Sequence, residues 1–184
     1  MTALHDLPAQ DLLAAYRQRT LSPVEVMQAV LAHMERWEPH IRATYLLRPE
    51  HALAQARASE ARWLRGEPQG LLDGVPVTIK ENIATQGDPT PLGTAAVPLV
   101  PAAADAPPAA RLREAGAVMV AKTTMPDYGM LSSGLSSFHP LSRNPWDVSK
   151  GPGGSSAGAG AAAAAGYGPL HIGTDIGGSL RLPA

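Results

Sequence analysis

From Ser155 to Ala165 the chain holds only serine, glycine and alanine. Five consecutive alanines, Ala161 to Ala165, favour a helix over a flexible linker. A helix whose largest side chains are a methyl and a hydroxymethyl group fits where another backbone approaches it closely. The stretch before it, Ser132 to Gly154, is rich in turn formers and reads as loop. The fold must therefore bring a loop, a small-residue helix and a partner layer into tight contact.

The partner layer is legible upstream. Ser22-Pro23-Val24-Glu25 is a capping box with proline at the first helical position. Behind it Met27, Val30, Leu31, Met34 and Trp37 recur on one helical face. A short helix is expected over Ala9 to Gln18, and a longer one from Pro49 to Arg65, stopped by Gly66. Thr44 to Leu47 reads as a strand, and so does Val75 to Lys80 after the turn Asp73-Gly74. Ala109 to Ala115 is a short helix ended by Gly116, and Ala117 to Ala121 a buried strand. The rhythm predicts an α/β fold, with 1–66 as an N-terminal helical region and 67–184 as part of an α/β core.

Composition excludes several chemistries. The 184 residues are enough for one core, and a net charge of -1 gives no basic face for nucleic acid or anionic lipid. With no cysteine there are no disulfides, thiolate metal sites or thiol nucleophiles. The six histidines, His5, His33, His40, His51, His139 and His171, lack ligand spacing and read as surface or packing residues. No metal and no organic cofactor is expected. No stretch reaches the roughly 18 uninterrupted apolar residues of a membrane helix, and no leader is evident, so a cytoplasmic location is expected. Of the 15 basic residues only Lys80, Lys122 and Lys150 are lysine. Lysine differs from arginine in being able to lose its proton when buried.

Three segments carry candidate chemistry: Lys80 at a strand end, Ser155-Ser156 at the start of the small-residue helix, and Ser179 on the turn Gly177-Gly178. A serine hydroxyl is a weak nucleophile and needs a base in hydrogen-bond reach. Without a suitable histidine, a neutral lysine is the natural base. Its ordinary pKa near 10.4 must then fall toward neutrality, a differential cost of about 4 kcal/mol supplied by burial or nearby cations. Gly177 and Gly178 allow backbone N–H groups to converge on an oxyanion. Gly154-Ser155-Ser156-Ala157-Gly158 also fits the G-x-S-x-G elbow of α/β-hydrolases. That elbow requires a preceding strand and a downstream acid before a histidine, and neither is present. Lys122 and Lys150 are expected to be structural or exposed.

Gly153-Gly154-Ser155-Ser156-Ala157-Gly158, followed by Gly173-Thr174-Asp175-Ile176-Gly177-Gly178-Ser179-Leu180-Arg181, resembles the signature of the amidase signature family. Gly74 to Ile83 is similar to that family's lysine segment, and Ala121-Lys122-Thr123-Thr124-Met125-Pro126 to another of its blocks. The resemblance implies Lys80 as base, Ser155 as a bridging serine in a cis peptide, and Ser179 as the acylated nucleophile. It implies an oxyanion hole from the N–H groups of Ile176, Gly177, Gly178 and Ser179, with Asp175 and Arg181 organising the turn. Ala157 and Ala159 stand where the family more often has glycine or serine.

The implied activity is hydrolysis of a small-molecule carboxamide through a serine acyl-enzyme, without nucleic acid bound directly and without membrane. The family also includes the glutaminase-type A subunits of glutamyl-tRNA amidotransferases, which hand ammonia to a partner. Family members run to several hundred residues, with later strands of a mixed sheet and the acyl-pocket walls beyond the nucleophile. The expectation is thus an N-terminal part of the fold with the C-terminal remainder absent. In another class of reading, the chain is a truncated, catalytically incompetent fragment that self-associates to cover sheet edges.

Overall fold

Every long helix starts where its sequence signal says it should. In the computed structural model, which describes residues 3–184, Ser22 Oγ accepts from Glu25 N–H at 3.2 Å. Glu25 Oε2 accepts in return from Ser22 N–H at 2.8 Å, completing the capping box. Residues 1 and 2 of the expected N-terminal region lie outside the described residues. Helix α1 runs Ala9–Gln18, α2 Pro23–Ile41 and α3 Pro49–Arg65, the last closed by Gly66 at φ 76°. The core face of α2 is Val26, Met27, Val30, Met34 and Ile41, while Trp37 is 39% exposed and only skirts it.

Among the described residues four strands form one mixed sheet, β1 (Thr44–Leu47), β2 (Pro76–Lys80), β3 (Val118–Thr123) and β4 (Leu170–Ile172), in the order β1-β3-β2-β4. Strand β1 is antiparallel to β3, whereas β3, β2 and β4 are parallel. Helices α2, α3 and α5 (Ala157–Ala164) share a core with Val118, Val120 and Ala121 of β3. The other face carries a smaller cluster, Ile79, Ile83, Met119 and Ile172, against Ala109 and Leu112 of α4 (Pro107–Glu114). Strand β1 joins residues before 66 to the sheet, and α2 and α3 share its core.

Two features of this sheet position side chains for chemistry. Between Val77↔Met119 and Thr78↔Ala121 the register skips Val120, a bulge that reverses the alternation of β3. Lys122 is thereby paired with Ile79 on the α4 face, and Lys80 with Thr123 on the α5 face. The second feature is the close approach of α5. Gly158 N–H donates to Thr124 O at 3.0 Å, and a Cβ at Gly158 would lie 2.6 Å from Thr124 Oγ1. Even an alanine there would push the helix, and Ser155 with it, away from the sheet. Strand β4 went unrecognised in the sequence because its three residues lie between Pro169 and Gly173, too short to show a period.

Candidate active site

Strand β2 delivers Lys80 to its C-terminal end, and the start of α5 delivers two serines to meet it. Lys80 is 1% exposed. Its Nζ lies 2.8 Å from Ser155 Oγ, 3.1 Å from Ser156 Oγ and 2.9 Å from Thr174 Oγ1, so all three of its partners are hydroxyls. Burial pushes its pKa down to about 8, against the opposing pull of the Glu81 and Asp175 carboxylates. The peptide bond Gly154–Ser155 is cis.

The serine next along has its hydrogen committed elsewhere. Ser156 Oγ donates to Thr174 O at 3.1 Å and accepts from Thr174 N–H at 3.2 Å. Ser156 flanks the helix as N-cap residue, and its side chain makes no capping bond. Thr174 Oγ1 also accepts from Asn82 Nδ2 at 3.3 Å. From the sequence, Ser156 is singled out only as part of a candidate segment, without a role, and Thr174 and Asn82 are not singled out as members of this network. The signal was there, since all three lie within the glycine-rich and lysine-bearing motifs.

Ser179 reaches the same cleft from the turn after β4. Its carbonyl accepts from Ser156 N–H at 3.0 Å, which ties the turn to α5. Among the described residues no hydrogen bond joins the Ser155 and Ser179 hydroxyls. Lys80 and Ser155 are in contact, therefore, and Ser179 stands in the shared cleft one link away. The turn itself is braced by Asp175. Its Oδ1 accepts from Gly178 N–H and Arg181 Nη2 at 2.9 and 2.8 Å, and its Oδ2 from Leu180 N–H at 2.9 Å. The Arg181 bonds, seconded by these main-chain donors, hold the Asp175 carboxyl far below the usual carboxylate range. The Gly178 N–H, expected in the oxyanion hole, is thus turned to Asp175. Those of Ile176, Gly177 and Ser179 carry no hydrogen bond among the described residues.

The cleft has a volume of about 370 Å³ and is walled by Met125, Tyr128, Met130 and Leu131, with Ile176 and Leu182 on the turn side. A roomier cleft of about 520 Å³ beside Trp146 and the chain end has no titratable or nucleophilic side chain in its lining. His171 is a packing residue: Nδ1 lies 2.8 Å from Thr78 Oγ1, and burial lowers its pKa. Lys150 is exposed and paired with Asp147. Lys122 is buried, donating to Ile83 O at 2.8 Å and Thr85 Oγ1 at 2.9 Å, with its pKa also pushed down to about 8 by burial. No cluster of three His, Cys, Asp or Glu side chains suited to a metal occurs among the described residues, and no helix is long and apolar enough to cross a membrane.

The family model described as Amidase matches residues 25–184. The chain belongs to the Amidase family. Across all 184 residues it is 41% identical to the A subunit of a glutamyl-tRNA(Gln) amidotransferase from Picosynechococcus sp., of which it covers 37%. Among solved structures it superposes on one described as an amidase with a TM-score of 0.89 at 33% identity, over 96% of this chain and 40% of that one. The peptide amidase of Stenotrophomonas maltophilia gives a TM-score of 0.88 at 31% identity, over 97% and 38% of the two chains. The amidase fold explains the mixed sheet and the helices upon it. This chain spans no more than 40% of the length of these relatives.

Proposed function

We propose that the chain carries the nucleophilic centre of an amidohydrolase, in which Ser179 attacks a carboxamide carbonyl and Ser155 relays its proton to Lys80. The observation that supports this most is the set of partners around Lys80. A buried ammonium is normally matched by a carboxylate, and here the amine meets three hydroxyls instead. A neutral amine has two N–H groups and one lone pair. Ser156 gives its hydrogen to Thr174 O, so toward Lys80 it accepts. Thr174 Oγ1 accepts from Lys80 as well. If Ser156 and Thr174 take both N–H groups of the neutral amine, the lone pair is left for the Ser155 hydroxyl, the direction a proton must travel.

The reaction then runs in two halves. Ser155 passes its proton to Lys80 as it takes the proton of Ser179, whose oxygen bonds to the carbonyl carbon. The oxyanion is received by the N–H groups of Ile176, Gly177 and Ser179, while Asp175 and Arg181 hold the turn rigid. The relay reverses to protonate the departing amine or ammonia, and water hydrolyses the acyl-enzyme. The link from Ser155 to Ser179 tightens on binding, as hydrogen bonds between catalytic groups do when substrate closes a site. A second reading is supported by the names of the curated relatives: the carboxamide is that of glutamine, and the ammonia passes to a partner, as in the A subunit of an amidotransferase.

The test is phosphonylation of the full chain by a serine-directed fluorophosphonate, in which the serine oxygen displaces fluoride from phosphorus, read by peptide mass mapping. The label is expected on Ser179, with a rate that rises with pH as Lys80 loses its proton, around 8. Labelling elsewhere, or undiminished labelling of Lys80→Ala, overturns the reading. Release of ammonia from glutamine against other amides then separates the two substrate classes.

A further inference from the structure

Two carboxylates oppose the loss of the Lys80 proton, those of Asp175 and Glu81. Asp175 is cancelled by the Arg181 guanidinium, at 2.8 Å. Glu81 has a different arrangement. Its N–H donates to Thr123 O at 3.0 Å, continuing the ladder one residue past β2, so strand alternation sends its side chain to the face opposite Lys80. The side chain is fully buried, and neither carboxylate oxygen has a hydrogen-bond partner among the described residues. The nearest cation-forming group is the equally buried His139, whose Nε2 lies 3.4 Å from Glu81 Oε1 and is likewise without a hydrogen bond.

A bare carboxylate removed from water without a donor is among the most unfavourable groups a protein can bury. A proton shared between two orphaned atoms that face one another meets that requirement, as carboxylate with imidazolium or carboxyl with imidazole. In either form such a pair is neutral. The other charged and titratable groups facing it are accounted for. Tyr45 of β1 packs against the His139 ring with centroids 5.1 Å apart. From β3, Lys122 is bonded to Ile83 O and Thr85. Asp88 is paired with Arg48, and Asp105 with Arg113.

His139 also belongs to the loop between residues 131 and 142, whose first residues, Leu131 and Ser132, wall the cleft. The ring is held edge-on to Phe138 at 5.0 Å, and its main-chain N–H is bonded to Ser136 Oγ at 2.8 Å. The contact therefore fastens one wall of the cleft to the strand end that carries the base. We propose that Glu81 and His139 form a charge-cancelling pair for Lys80, doing for Glu81 what Arg181 does for Asp175, and are positioning residues of the amidase site. This rests on the reading of Lys80 as a neutral base.

With only three lysines in the chain, the Lys80 midpoint can be followed directly by NMR titration of ¹³C-lysine-labelled protein, assigned with Lys80→Met. His139→Asn strands the carboxylate and is expected to raise the Lys80 midpoint by about one pH unit or more. Glu81→Gln replaces a neutral pair by a neutral pair and is expected to move it by less than about half a unit, and the double variant is expected to match Glu81→Gln. An unmoved midpoint in folded His139→Asn overturns the proposal. So does a fall of a unit or more in Glu81→Gln, which would reveal an uncancelled carboxylate and needs no His139 variant to fold. A wild-type Lys80 midpoint at the ordinary lysine value overturns the base reading instead, while the relative shifts of the variants still decide the pair.

Discussion

Lys80 and Lys122 stand on neighbouring strands, one on each face of the sheet, both buried and both pushed down to about 8 by loss of water. Their surroundings differ. Both line a cleft, but Lys80 meets three hydroxyls. Lys122 donates to a main-chain carbonyl, which can only accept, and to Thr85, whose own hydrogen goes to Asp88 at 2.7 Å. Both Lys122 partners therefore ask for N–H donors, and neither offers a proton. Burial makes a lysine able to become a base, and the partners decide whether it has anything to deprotonate. A lowered pKa alone does not separate a catalytic lysine from a structural one.

The widest separation between the two is expected in reactivity. Lys80→Met and Ser179→Ala should each slow fluorophosphonate labelling by about 10³-fold or more, the scale on which nucleophile and base substitutions act. Lys122→Met, compared below its own melting temperature, should stay within about threefold of wild type. Equal losses at the two lysines would erase the distinction drawn from their partners.

Stability should run the other way. Lys122→Met leaves the Ile83 carbonyl without its donor and frees the segment after Lys80, an expected loss of about 2 kcal/mol. Lys80→Met removes a buried amine from hydroxyls that can bond one another, and an expected gain of about 1 kcal/mol follows. Denaturant melts of the two variants measure both signs. A Lys80→Met protein less stable than Lys122→Met would mean that the hydroxyl cage is structural.

How much of this contrast can be read from the sequence is instructive. Lys80, Ser155 and Ser179 stand out because glycines and serines cluster in short motifs that fix local backbone. The capped helix at Ser22 is legible for the same reason. The burial of Lys122 is not, since it depends on the bulge at Val120, and a one-residue change of register leaves no periodic trace in a six-residue strand. The contact of Glu81 with His139 is hidden further still. One partner lies beyond the end of a strand and the other in an aperiodic loop, so only the folded chain brings them together. The Gly178 N–H illustrates a third limit, because composition predicts a flexible donor but not that Asp175 takes it.

Both lysines also predict a pH dependence of stability with a definite sign. Each folded-state pKa, about 8, lies below the ordinary 10.5, so the unfolded chain binds more protons between these values. Stability therefore rises as pH rises through that window, by at most on the order of 3 kcal/mol per lysine. Tyr16 and Tyr167, whose hydroxyls burial pushes up, act oppositely only above about pH 10. Melts between pH 7.5 and 9.5 should show the rise, and Lys80→Met should remove about half of it. A flat profile would mean that neither amine loses its proton on folding.

The smallest expected effect lies within the Lys80 cage and tests the proposed orientation of its lone pair toward Ser155. Ser156→Ala removes the acceptor fixed by Thr174 O and leaves Lys80 free to turn one N–H toward Ser155. If Lys80 is the base, as proposed, it is then present but misdirected for part of the time, an expected loss of about tenfold in labelling rate. Because the amine keeps its burial, the pH dependence of labelling should hold its wild-type midpoint while the plateau falls. A shifted midpoint with an unchanged plateau would assign Ser156 to the charge of Lys80 and not to its orientation. In that case the difference between the two lysines would reside in solvation and not in the direction of their hydrogen bonds.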